Sequence, residues 1–381
     1  MIPGPIEFEP AVLQKMGEAT TSHVAPDFIE TFGNALDLMK QVWRCPSGQP
    51  FVVAGSGTLA MDMAGANLVE PDDNCLVLST GYFGERFAAL LKRYGARVTV
   101  LNAPLGETVA LDRVRKELAG AKYKLLVFTH VDTSTAVRVD PQPLARLAAE
   151  FGVATILDGV CSVASEEIRQ EEWGIDVVLT ASQKGIGVPP GLALMVVSPR
   201  ALEISRNRRR PVPNYYADWS NWLPIMEAYA ARRPAYFGTP PVNLIAALEV
   251  SLRQILDEGM DARVVRHRRF AAAFRAAMRA LGLAMIPVAE NVSANTLTAA
   301  YYPEGVDGSA FMAEVLREGV IVAGGLLPDI KSSYFRVGHM GAVSRGDILS
   351  TIGAIEAALA RVGKAPEPGI GLAAAQRALH S

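Results

Sequence analysis

Apolar residues Phe28, Phe32, Leu36, Met39 and Trp43 recur at helical spacing, and the pattern predicts a helix over 26–43 that Pro46 and Gly48 end. The segment before it is rich in Pro and Gly and reads as extended. From residue 51 to about 200 short apolar runs alternate with longer helical stretches. The predicted strands are Cys75–Ser79, Arg97–Leu101, Leu125–Thr129, Thr155–Asp158, Val177–Thr180 and Leu192–Val197. Most consist of Val, Leu and Ile with few polar residues, as in strands buried on both faces of a parallel sheet. Alternation of strand and helix implies an α/β sheet with right-handed crossovers.

Residues 201–239 are rich in Arg, Pro, Tyr and Trp without clear periodicity, and read as a long functional connection. A strong helix is predicted after Thr239, with Pro240 and Pro241 in its first turn and Leu244, Ile245, Leu248, Leu252, Ile255 and Leu256 on its apolar face. From about 260 the character changes to α+β. A basic amphipathic helix precedes a strand at Thr296–Tyr301, a helix over 308–318, and strands at Val320–Ala323 and Tyr334–Val337. A last strong helix begins at Ser344, where Ser344 and Asp347 fit a capping box. The tail after Lys364 holds Pro and Gly and then a weak helix. These shifts divide the chain into an N-terminal extended segment (1–25), a large domain (26–258) and a small C-terminal domain (259–381).

Composition adds exclusions. The chain has 381 residues, 50% hydrophobic and 20% charged, with a formal net charge of −2, so no global field favours nucleic acid or anionic lipid. No apolar run approaches the ~20 residues that a membrane helix needs. The start lacks the basic and apolar regions of a signal peptide, and the end, Leu379-His380-Ser381, is not a peroxisomal Ser-Lys-Leu. Cys45, Cys75 and Cys161 have no paired spacing and the five histidines form no HExxH pattern, which points away from disulfides and metal. A reducing, cytoplasmic setting is the expectation.

Three features carry chemistry. Lys184 lies just beyond a predicted strand in Thr180-Ala181-Ser182-Gln183-Lys184, before a glycine- and proline-rich turn. Ligands of open α/β sheets bind at such strand ends, and a desolvated lysine amine there can condense with an aldehyde. The plain alternative is an exposed loop lysine. Asp158 ends the preceding strand; it can face a pyridinium nitrogen or simply cap the next helix. Ala54-Gly55-Ser56-Gly57-Thr58 leads into a helical stretch and suits a phosphate, or is only a tight turn. In the order phosphate cup, Asp, Lys, the three point to pyridoxal 5′-phosphate.

With these residues the sequence resembles the class V, fold-type I aminotransferases of the alanine–glyoxylate and serine–pyruvate branch, and looks most like the fungal type. The resemblance runs from Pro3-Gly4-Pro5 to Gly338-His339-Met340-Gly341 and is carried by Ala54–Leu59, Thr129–Val137, Glu172-Trp173-Gly174, Thr180–Lys184, Tyr236–Pro241 and Arg336–Gly341. It implies a large domain with a mostly parallel seven-stranded sheet, a smaller α+β C-terminal domain, and a homodimer. It also implies site roles. Ser56, Gly57, Thr58 and Gln183 would bind the cofactor phosphate. Phe83 would stack on the ring, with Tyr82 the weaker candidate, and Val160 would pack beneath it. Thr133 would reach the phenolic oxygen, Asp158 the ring nitrogen and Lys184 the aldehyde. Tyr236 and Thr239 would reach the neighbouring subunit's phosphate. Gly4 and Arg336 would contact substrate, with Arg336 gripping its carboxylate.

Each role has a bland counterpart. Phe83 can be core, Thr239 an N-cap, and Arg336 a strand arginine that snorkels to solvent. His130 reads as a satisfied buried histidine, His339 as structural, and the basic run Arg263–Arg269 as a solvated face. Two departures from animal relatives stand out: Gly57-Thr58 replaces Gly-His, and Asp132-Thr133-Ser134 replaces Glu-Ser-Ser. Both keep hydroxyl or anionic character. The implied reaction is ping-pong transfer from L-alanine to glyoxylate, giving pyruvate and glycine. Serine–glyoxylate or serine–pyruvate transfer is the near rival, and a phosphonate transaminase or a silent cofactor-binding regulator the remoter ones. A cysteine desulfurase lacks its cysteine, since none lies beyond Cys161, and no GxGxxG supports a Rossmann oxidoreductase.

Overall fold

The structure, a computed structural model, describes residues 1–380. In chain order the first half comprises α1 (Pro10–Met16), α2 (Pro26–Val42), β1 (Gln49–Ala54), α3 (Gly57–Leu68), β2 (Asn74–Ser79), α4 (Tyr82–Arg93), β3 (Arg97–Asn102), α5 (Leu111–Gly120), β4 (Leu125–Thr129), β5 (Val131–Asp132), β6 (Val137–Arg138), α6 (Pro141–Glu150), β7 (Ala154–Asp158), α7 (Gln170–Trp173), β8 (Val177–Ala181) and β9 (Leu192–Val197). There follow α8 (Pro199–Arg206), α9 (Trp219–Ala230), α10 (Val242–Glu258), α11 (Met260–Ala280), β10 (Leu297–Tyr301), α12 (Gly308–Arg317), β11 (Ala323–Gly324), β12 (Tyr334–Gly338), α13 (Arg345–Arg361) and α14 (Ile370–His380).

Seven strands form one sheet in the order β1-β9-β8-β7-β4-β2-β3. The pairs from β3 through β8 are parallel, while β9 runs antiparallel to both β8 and β1. Strands β4, β7, β8 and β9 are buried along their whole length, as their mostly apolar runs require when both faces are covered. The chain leaves β2 toward β3 on one side and returns to β4 on the other, so the loops after β2 and β4 diverge at the carboxyl edge. That divergence is the crevice where open α/β sheets take ligands.

One apolar cluster runs from Val12 to Met260 around this sheet. A second, from Phe270 to Leu379, packs α11 to α14 on the antiparallel sheet β10-β12-β11. A third, with Ile6, Val131, Cys161, Leu297, Tyr334 and Met340, lies where the N-terminal segment, the β4–β7 region and the second sheet meet. No helix of the described residues is long and apolar enough to cross a membrane.

Several expectations are corrected. The N-terminal segment is not all extended, because Pro10–Met16 forms α1 with a proline in its first turn. Strand β1 was not anticipated. The 201–239 stretch holds most of α8 and all of α9, and the face of α9 is built around Trp219, Trp222 and Tyr229 rather than a regular aliphatic stripe. Helix α10 starts after the two prolines, with Pro241 at its N-cap and no side-chain cap, so Thr239 does not cap it. The short strand is Ala323–Gly324, not Val320–Ala323.

At α13 the Ser344 hydroxyl accepts the Asp347 N–H and the Asp347 carboxylate accepts the Ser344 N–H, the reciprocal box that the sequence predicts. Ser344→Ala should lower stability by about 1 kcal/mol and Ser344→Gly by only a few tenths, read from the urea midpoint at unchanged slope.

Candidate active site

The carboxyl ends of the parallel strands bring Thr129 and Asp158 side by side as register partners, with Leu179 of β8 next to Asp158. Beyond β8 the chain turns sharply. The Ser182 hydroxyl donates to Pro189 O at 2.8 Å and accepts Leu192 N–H at 3.2 Å, and Gly187 N–H donates to Lys184 O at 2.8 Å. This stapled turn directs Lys184 inward, where it is only 9% exposed. Its amine donates to Pro3 O. Burial lowers its pKa below the usual lysine value; the Arg336 cation lowers it further, while Cys161 and Asp158 oppose the shift. The exposed-lysine reading is thereby excluded.

The N-terminal segment closes over this amine. Gly4 lies at φ +120°, and a Cβ there would stand 2.7 Å from Lys184 Cδ and Cε. Ile6 N–H donates to Gln183 O at 3.2 Å and holds the segment down.

Asp158 is 2% exposed and accepts the Val160 N–H at 3.0 Å. Burial pushes its pKa up to about 6, aided by Asp132 and opposed by that hydrogen bond, Lys184 and Arg86. It caps no helix, since turns follow β7 until α7 begins at Gln170. Gly57 opens α3 beneath Val160: a Cβ on it would meet Val160 Cγ2 at 2.9 Å and Ala181 Cβ at 3.2 Å. Ser56 occupies the N-cap in extended conformation with a side chain that makes no capping bond, and both Ser56 and Thr58 are exposed. The Gln183 Oε1 is buried without a partner.

A network that the sequence did not reveal organises the opposite wall. Buried Asp132 accepts Phe83 N–H at 3.0 Å, Ser134 N–H at 2.9 Å and the Ser134 hydroxyl at 2.5 Å; that hydroxyl in turn accepts Tyr82 N–H at 3.0 Å. Burial raises the Asp132 pKa, and these donors pull it back. The N-terminus of α4 is thus fixed to the loop after β4. Phe83 is half-buried, with Tyr82 edge-on at 5.5 Å and the Arg86 guanidinium 5.2 Å from its ring centre.

Arg336 does not snorkel. It projects from β12 half-buried, its Nε donating to Gly324 O at 2.8 Å and its Nη1 to Thr133 O at 3.0 Å. Among the described residues no carboxylate pairs with it. Tyr334, two residues earlier, donates its hydroxyl to Ser134 O at 2.7 Å and accepts Leu326 and Leu327 N–H at 2.8 and 2.9 Å. The Thr133 hydroxyl makes no hydrogen bond within the described chain.

The structure therefore brings together Gly4, Asp158, Val160, Gln183, Lys184, Thr133 and Arg336, with Gly57 joined through Val160, and Phe83 linked to Thr133 through the Asp132 loop. It does not bring Tyr236 or Thr239 to this cluster. Both are exposed, and Tyr236 packs on His23 at 5.4 Å. His130 is buried but not satisfied: its Nδ1 lacks a partner, and burial lowers its pKa to about 3. His339 is held by Thr298 Oγ1 at 3.0 Å and Asn295 O at 3.1 Å, as a structural residue should be. Asp132 and Ser134 are named beside Thr133 in the sequence analysis without a role for either, and Tyr334 has none there. The available signal was the dense polar run Asp132-Thr133-Ser134-Thr135 just beyond an apolar strand.

The sequence model of the class V aminotransferases matches residues 13–328. The chain belongs to the class V aminotransferases. It is 38% identical to alanine–glyoxylate aminotransferase 1 of Saccharomyces cerevisiae over 90% of this chain and 92% of that one. It is 33% identical to the L-aspartate–glyoxylate aminotransferase of Paracoccus denitrificans over 98% and 94%. Among solved structures, an alanine–glyoxylate aminotransferase from Nostoc sp. superposes with a TM-score of 0.89 at 33% identity, covering 94% of each chain.

Class V aminotransferases use pyridoxal 5′-phosphate. The residues present fit that group. A buried aspartic acid raised to about 6 wants a cationic partner, which a pyridinium provides. The Gln183 NH2 can donate to a phosphate, although the orphaned atom of that amide is its accepting Oε1. The α3 N-terminus presents free N–H groups between two exposed hydroxyls.

In cofactor-free protein, between about pH 4 and about pH 6, folded Asp158 holds a proton that the unfolded chain has released, so stability falls as pH rises through that window. The effect amounts to about 3 kcal/mol. Thermal unfolding of cofactor-free wild type against Asp158→Asn should show the wild type losing stability across this range relative to the variant, and no difference would refute the raised value.

Proposed function

We propose that this aminotransferase moves the amino group of L-alanine to glyoxylate, releasing pyruvate and glycine in two half-reactions. The observation that carries the reading is the Arg336 guanidinium, anchored by two carbonyls, without a carboxylate partner, and acting electrostatically on the buried Lys184 amine. A 2-amino or 2-oxo acid supplies the missing carboxylate. The close lid of Pro3 and Gly4 favours a donor with a small side chain, and the yeast and Nostoc relatives carry the alanine–glyoxylate name.

Bound pyridoxal phosphate supplies an aldehyde for amino-group exchange and a protonated ring that draws electrons from the substrate Cα. The chain's residues do the rest. Ser56, Gly57, Thr58 and Gln183 would bind the phosphate, Phe83 and Val160 would pack on the ring, and Thr133 would reach its phenolic oxygen. Ionised Asp158 keeps the ring-nitrogen proton in place. Lys184 anchors the cofactor through its amine. As a free amine it would take the donor's α proton and later return a proton to the acceptor's Cα. Its lowered pKa leaves a larger fraction of that amine unprotonated near neutral pH. Arg336 orients each carboxylate, Gly4 leaves room beside the lysine, and the N-terminal segment excludes water.

Exposed Tyr236 and Thr239 support a homodimer in which each subunit reaches its neighbour's phosphate. The separate apolar clusters support a boundary between the large and small domains near 258, although Val12 of the 1–25 segment packs in the large-domain cluster, and three free, buried cysteines suit the cytoplasm.

With the cofactor-loaded protein, L-alanine should bleach the visible band of the lysine-bound cofactor and glyoxylate should restore it. L-serine and L-aspartate in parallel rank the donors, and a faster bleach by either overturns alanine. Lys184→Ala should lower turnover about 10^4-fold. Arg336→Ala should raise the KM of donor and acceptor alike, by roughly 100-fold for a loss of about 3 kcal/mol.

A further inference from the structure

The basic run Arg263–Arg269 on α11 is solvated only in part, since Arg268 and Arg269 are exposed while Arg263 and His267 are buried. Arg263, Arg266 and His267 stand three and four residues apart and so share one side of the helix. Arg263 is only 7% exposed. Its Nε donates to Ala164 O at 2.7 Å and its Nη2 to Gly185 O at 3.0 Å, directly after Lys184. Its Nη1 meets Glu258 Oε2 at 2.7 Å. The same Glu258 receives Arg266 Nε at 2.6 Å, and Arg266 donates onward to Gly341 O and Val343 O, each at 3.1 Å. Buried His267, whose pKa is held well below the usual value chiefly by burial, accepts Gly341 N–H at 3.0 Å, and its Nδ1 donates to Arg263 O at 2.7 Å. One helix face therefore grips the backbone just after Lys184 and the backbone that follows Arg336.

We propose that Arg263 is a positioning residue which, through Glu258, Arg266 and His267, fixes the spacing between the Lys184 amine and the Arg336 guanidinium. The inference rests on the reading of those two residues given above. A 2-amino acid carries its amine and carboxylate on a single carbon and has no slack, so the protein must hold the two groups that receive them. Misplacement by about 1 Å is enough to lose roughly 100-fold in rate. Stability alone does not account for the network, because well-packed apolar side chains commonly match or exceed a buried ion pair.

The test compares Arg263→Met, Arg263→Lys and Arg275→Met. Arg275 is a matched control on the same helix, 5% exposed and bound to Glu290 and Ala294 O. In cofactor-free protein, Arg263→Met should speed hydrogen–deuterium exchange in both 183–188 and 338–343, while Arg275→Met leaves both segments as in wild type. In loaded protein, Arg263→Met should lower kcat about 100-fold with KM changed less than about threefold, because Arg336 still holds the carboxylate. Arg263→Lys keeps the charge but loses the fork, and should fall between the two; it carries the same readouts should Arg263→Met not fold. Wild-type exchange and kcat in the Arg263 variants, or the same losses in Arg275→Met, would overturn the proposal. Failure of the underlying reading shows elsewhere, as normal turnover in Lys184→Ala, and the exchange data would still report whether the two segments are coupled.

Discussion

The removal of one lysine amine from water governs the architecture around it. A lysine keeps its charge unless burial makes the neutral form competitive, and Lys184 meets that condition beneath Pro3 and Gly4, with Arg336 adding to the effect of burial and Cys161 and Asp158 opposing it. Achieving that burial takes the whole fold. The parallel strands deliver Asp158 and the Lys184 turn to one edge, Ser182 and Gly187 close the turn, and a segment from the far end of the sequence covers it. No single element could desolvate the amine alone.

Buried charges also serve as brackets. Asp132 gathers donors from α4 and its own loop, and Arg263 gathers carbonyls from the loop after β7 and from the Lys184 turn. A neutral side chain at either position would leave several backbone groups without partners, each costing about 1–3 kcal/mol. Such ionic brackets trade stability for fixed geometry, which suits a site where small displacements matter.

Legibility in the sequence follows from how local the signal is. The strands of the parallel sheet read directly, because burial on both faces forces mostly apolar runs within five or six residues. Lys184, Asp158 and the Ser56–Thr58 turn read as a set because strand ends and a helix start fix where they lie. Strand β1 escaped because Pro50 and a preceding turn mask it, and α9 because bulky aromatics replace a regular stripe. Arg263 escaped for a different reason. On a helix an arginine normally marks the water side, and only the arrival of carbonyls from Ala164 and Gly185, distant in the chain, turns it inward. Asp132 was hidden in the same way, since its partners on α4 lie about fifty residues earlier.

Arg336 and Lys184 form a coupled pair, and the coupling has a direction. With no carboxylate beside it, the buried guanidinium lowers the proton affinity of the amine. A substrate carboxylate docked on Arg336 neutralises that field in a medium where charges are poorly screened. On the reading proposed above, the proton affinity of the free amine would then rise on binding, while burial continues to hold it below the usual lysine value. The same neutralisation relieves the cost of holding a half-buried cation without a counter-ion. On that reading substrate binding and base strength would be linked through one guanidinium, which Gly324 and Thr133 hold still.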